Sequence, residues 1–86
     1  MLSKPKIIVF AESPEVLALL RMMLEIDNIE VIGASCKNFN ILELYHIQPD
    51  LIMIDDSALW DEVATLCERI KADHLLGNIP IMLIAS

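Results

Sequence analysis

Short unbroken apolar runs alternate along this chain with longer stretches whose apolar residues recur at helical spacing. The run Lys6 to Ala11 is apolar and β-branched, as a central first strand would be. Ser13 is placed to cap a helix that Pro14 opens in its favoured first position. That helix has Val16 to Leu20, Met22 to Leu24 and Ile26 apolar, with Arg21 and Glu25 forming a single polar stripe at i, i+4 spacing. A helix apolar nearly all round is expected to be covered on more than one side.

After a turn at Asp27 and Asn28, the segment from Ile29 to Ala34 mixes alternation with a glycine and predicts an edge strand covered on one face. A polar loop follows from Ser35 to Asn40, where Asn38 or Asn40 can start a short helix over Ile41 to His46 that Gln48 and Pro49 end. Leu51 to Asp55 is the third strand. Asp56 or Ser57 can cap the next helix, whose positions Leu59, Val63, Leu66, Cys67 and Ile70 keep the helical period while Asp61, Glu62, Glu68, Arg69 and Lys71 face water. Trp60 is expected to pack. A loop from Asp73 to Asn78 leads to a fourth strand over Ile79 to Ala85, with Pro80 at its start where a missing donor is tolerated.

Strand, helix, strand, helix, strand, helix, strand implies right-handed βαβ crossovers and a parallel sheet. The stretch Pro49 to Asp56 is central to it, because four apolar residues end there at two carboxylates. Asp55 therefore stands at the carboxyl edge of the sheet, where open α/β folds place ligands and chemistry. A plainer reading stays open: Asp55 and Asp56 simply end the strand and cap the following helix.

At 86 residues the chain is one domain, and at 56% apolar content it holds a real core with apolar surface left over. No apolar run approaches the roughly 18 residues of a membrane span, and the start is too short for a secretion signal, so the expectation is a cytoplasmic protein that does not enter a membrane. Six basic against thirteen acidic residues leave a net charge of −7, which disfavours nucleic acid and acidic partner surfaces. Cys36 and Cys67 lack CxxC spacing and read as reduced and structural, and His46 and His74 as a helix-end and a loop histidine.

The segments Lys6 to Glu15, Pro49 to Asp55, Leu66 to Asp73 and Asn78 to Ala85 together resemble the receiver domain of bacterial response regulators, in order and spacing over essentially the whole chain. The resemblance implies a flavodoxin-like, doubly wound parallel sheet, here with four strands in order 2-1-3-4 and three helices. It makes residues 1–86 one receiver-like domain, the first two thirds of a complete receiver without its fifth strand and last two helices. It also implies a non-enzymatic signalling role in which a histidine kinase passes a phosphoryl group to Asp55.

Such transfer needs Mg²⁺, which the resemblance assigns to Glu12, Asp55 and the Ser57 carbonyl. The family's pair of acids after the first strand is Ala11 and Glu12 here, so magnesium binding is expected to be weakened. Its hydroxyl at the end of the fourth strand is replaced by Ala85, with Ser86 next. These departures keep a second reading open, a phosphorylation-independent pseudo-receiver serving as an interaction or dimerisation module. A third reading, an unrelated flavodoxin-like binder or small enzyme, is disfavoured because Glu12, Ser13 and Pro14 put a carboxylate where a phosphate cradle would lie. An open fourth-strand edge and first helix predict a homodimer or partner contact through Ile81, Leu83, Leu19, Met22 and Met23.

Overall fold

The computed structural model describes residues 4–37, 39–56, 58 and 60–84. Four parallel strands, β1 (Lys6–Phe10), β2 (Glu30–Ala34), β3 (Leu51–Asp55) and β4 (Ile81–Ile84), form one sheet in the order β2-β1-β3-β4. The helices are α1 (Pro14–Glu25), α2 (Glu43–Ile47) and α3 (Trp60–Ala72), with a 3₁₀ turn at Leu76–Asn78 before β4. This is the doubly wound four-stranded sheet that the alternation and the resemblance imply.

Strand register decides which side chains share a face. Ile8 pairs with Ile32 and Ile52, and Ile52 in turn with Ile81. Because side chains alternate along a strand, Ile8, Phe10, Ile52 and Ile54 face one side, where they pack with Leu44 of α2 and Val63, Leu66 and Ile70 of α3. Ile7, Val9 and Val31 face the other side, against Leu17, Leu20 and Leu24 of α1. Phe10 is fully buried and meets the Phe39 ring edge-on at 4.9 Å. Each such buried side chain contributes about 1.5–3 kcal/mol of apolar transfer free energy.

Local chemistry sets the helix ends. Ser13 caps α1 by accepting from the Val16 N–H, and Pro14 occupies the first turn. Asn28 closes the other end in the left-handed region at φ 63°, and Gln48 does the same for α2 at φ 53°, directly before Pro49. The second helix begins later than expected, at Glu43, with Leu42 as its N-cap and no side-chain cap; the candidate Asn40 instead holds the turn before it, its Oδ1 accepting from the Leu42 N–H at 3.0 Å, and the other candidate, Asn38, lies outside the described residues.

Three further expectations are revised. The segment read as a loop after Asp73 contains the 3₁₀ turn, because Asp73 Oδ1 accepts from the Leu75 and Leu76 N–H groups, both at 2.9 Å, and Leu76 is buried. The Tyr45 hydroxyl also donates to Asp73, tying α2 to this turn. Trp60 does not pack: as the first residue of α3 it is 57% exposed. The apolar α1 is covered on its sheet side only, leaving Leu19, Met22, Met23 and Ile26 exposed.

The surface expected to join β4 to α1 is also rearranged by the register. Ile81 and Leu83 pair with Ile52 and Ile54 and so share the face of α2 and α3; Met82 and Ile84, which pair with Met53 and Asp55, are the β4 residues on the α1 side. β4 is an edge strand, as is β2.

Candidate functional site

Parallel strands bring their carboxyl ends to one edge. Phe10 pairs with Ile54, so Ala11 and Asp55 are the next residues along the adjacent strands β1 and β3. Glu12 follows β1, and Ser35 and Cys36 follow β2 on its far side. The edge therefore gathers Glu12 and Asp55, the two side chains expected to carry the chemistry.

Asp55 is 5% exposed, the one buried charged side chain among the described residues. Its carbonyl accepts from the Ala58 N–H at 3.0 Å, and the Asp56 N–H donates to the Ile84 carbonyl at 3.0 Å. These two bonds fix the chain as it leaves β3 and join it to β4. Asp56, a candidate helix cap, sits in this turn, and α3 starts only at Trp60. Ser57, Ala85 and Ser86 lie outside the described residues.

Glu12 is exposed, and both of its carboxylate oxygens accept from the Ser35 hydroxyl, at 3.0 and 2.8 Å. Ser35 Oγ in turn accepts from the Lys37 N–H at 3.0 Å, which fixes the direction in which its proton points. Neither the Ser35 contact nor its orientation was foreseen in the sequence, where the two residues stand 23 apart. Only the strand order, which seats the loop after β2 beside the loop after β1, could have suggested it.

Cys36, the next residue, is buried, and its thiol is pushed up from the ordinary 9.0 to about 11, first by burial and then by the negative charge of Glu12. Cys67 is half-buried on α3 and its thiol is raised too, again by burial, so both cysteines are free and chemically quiet. Cys36 also lines a cavity of about 150 Å³ with Phe39, Glu62, Thr65, Leu66 and Arg69.

Magnesium takes hard oxygen donors, and the fit is one of kind. Glu12 and Asp55 supply two carboxylates at adjoining strand ends. No group of three or more His, Cys, Asp or Glu side chains placed to hold a metal occurs among the described residues. Position 11, next in register to Asp55, carries a methyl group and offers no donor.

No family model matches the sequence, and no curated protein matches it. Among solved structures it is similar to the N-terminal domain of a response regulator receiver protein from Methanoculleus marisnigri JR1, at 30% identity and a TM-score of 0.72 over 94% of this chain. The chain spans 66% of the length of that neighbour. With the same fold, four parallel strands in the order β2-β1-β3-β4 and helices on both faces, the chain carries the fold of a response regulator receiver domain.

Proposed function

We propose that residues 1–86 form a receiver-type signalling domain of a phosphorelay and that Asp55 is its phosphoryl acceptor. The observation that carries this reading is the placement of Asp55: a buried carboxylate at the carboxyl end of a central strand, beside the point where the strand order reverses between β1 and β3. Charged side chains are seldom buried without a purpose that repays desolvation.

In this reading an Asp55 carboxylate oxygen attacks the phosphorus of a phosphohistidine presented by a kinase. The new P–O bond forms as the P–N bond breaks, and the electron pair leaves on the imidazole nitrogen. Glu12 and Asp55 are the side chains that would hold magnesium, with the Ser57 carbonyl as a third donor by resemblance; when bound, the ion offsets charge on the phosphoryl oxygens. The domain receives the group and is not itself an enzyme. Its partners are a histidine kinase or another cytoplasmic signalling protein, and a second copy through the open β4 edge and the exposed side of α1. Sedimentation at micromolar concentration tests the last point, and a monodisperse monomer rejects self-association.

A second reading is favoured by a specific observation. Ala11 removes one acid and Glu12 is occupied by Ser35, which suits a pseudo-receiver that signals by contact alone. Beryllofluoride, a phosphoryl mimic, separates the two when added with magnesium and followed in amide spectra. Shifts around Glu12 and Asp55 that vanish in Asp55→Asn support the acceptor reading. No response in either protein leaves the contact module.

A further inference from the structure

Strand order gives the Glu12 contact a direction. β1 lies between β2 and β3, so Ser35, after β2, and Asp55, at the end of β3, flank β1 on opposite sides. Neighbouring strands are spaced by about 4.8 Å, which separates the two flanks by about twice that distance. A carboxylate with both oxygens on Ser35 is therefore drawn toward β2, while a cation shared with Asp55 would lie toward β3.

The Ser35 hydroxyl is committed to this contact. It has one proton, and the Lys37 N–H occupies its lone-pair side, so the proton is aimed at Glu12. Glu12 is the longer of the two acids and sits where the chain has a single carboxylate instead of two. Its side chain can reach either flank. Only the position toward β3 lets the carboxylate share a cation with Asp55.

We propose that Ser35 is a positioning residue that latches the Glu12 carboxylate toward β2, and that cation binding by Glu12 and Asp55 requires this latch to open. The inference rests on reading those two carboxylates as a magnesium pair. It adds a determinant of affinity from outside the set: the hydroxyl after β2 holds the carboxylate on the flank away from the one where it would share an ion with Asp55. Hydrogen bonds to charged groups are the stronger ones, and exposure to water reduces their net worth.

The test is magnesium titration of the wild type, Ser35→Ala and Ser35→Thr across the millimolar range, read from amide spectra as a dissociation constant and not as phosphorylation. Ser35→Ala should bind magnesium roughly fivefold more tightly, the release of one exposed charge-assisted hydrogen bond. Ser35→Thr keeps the hydroxyl and should match the wild type, which also controls for damage to the loop. A Ser35→Ala constant within twofold of the wild type, or weaker, overturns the latch while the acceptor reading stands. Saturation by none of the three proteins removes the latch and the acceptor reading together.

Discussion

Cys36 offers a chemical test of the edge. Its thiol is raised from 9.0 to about 11, so at pH 8 its thiolate fraction is about ninetyfold below that of an ordinary thiol. A more basic thiolate is a better nucleophile: with a Brønsted coefficient near 0.45, two pK units return about eightfold in disulfide exchange. About a tenfold slowing remains from ionisation alone. At 6% exposure the sulfur is also shielded, which slows it further.

A Cys67→Ala background isolates Cys36, and the assay is exchange with an aromatic disulfide, folded protein against the same protein in urea. The pH profile is the sharper readout. An unfolded thiol plateaus above pH 9, whereas the folded Cys36 rate should climb tenfold per pH unit to about 11. Burial is the first cause of the shift and the Glu12 charge the next, so Glu12→Gln should move the curve to lower pH without restoring the ordinary value. A folded rate equal to the unfolded one at pH 8, or a plateau at 9, would refute the burial of Cys36 in the core beside Glu12.

Other outcomes follow from single contacts. A Cβ on Gly33 would lie 2.3 Å from Leu17 Cδ2 and 3.0 Å from Cδ1, so Gly33→Ala should cost about 1–2 kcal/mol in urea unfolding, and less than half that in a Leu17→Ala background. Ala11→Asp puts a charge next in register to Asp55 and should lower the melting temperature without magnesium, with recovery on adding it. Asp73 is held below the ordinary 3.8 mainly by the Leu76 N–H and then by the Tyr45 hydroxyl. Its contribution is complete above the unfolded value and fades as pH falls through the folded one, so Asp73→Asn should flatten the acid limb of the stability curve below about pH 4.

The strands and their order of appearance were legible because each buried strand is a continuous apolar run, and β1 and β3 fall within one residue of their expected bounds. What was not legible depends on contacts between distant residues. The 3₁₀ turn before β4 exists because Asp73 turns its side chain onto the backbone ahead of it and Leu76 fills the core, and neither act has a periodic signature. Trp60 is the first residue of α3 and is exposed, and an apolar label alone does not say which side of a helix start faces the core. Joining Leu83 to the α1 surface failed for want of register: parity along β4 was available, but which parity faces α1 is decided by the pairing with β3. Glu12 and Asp55 were placed correctly at one edge, while the neighbour of Glu12 needed the strand order.

The residues that specify the fold and those that would carry the chemistry are almost disjoint, and position 11 shows the consequence. Ala11 packs beside the Ile7, Val9 and Val31 cluster and its N–H donates to the Ala34 carbonyl, so the backbone there serves the sheet whatever the side chain. An acid at that position would face Asp55 from the next strand, and without a cation two carboxylates at one edge oppose each other. Alanine removes that repulsion and adds apolar contact. Alanine at position 11 thus favours the unloaded domain, the expected direction when stability and site chemistry compete. A receiver fold can therefore shed carboxylates from its edge at no cost to its core, and the Glu12 to Ser35 contact shows one of the remaining acids already satisfied by the protein itself.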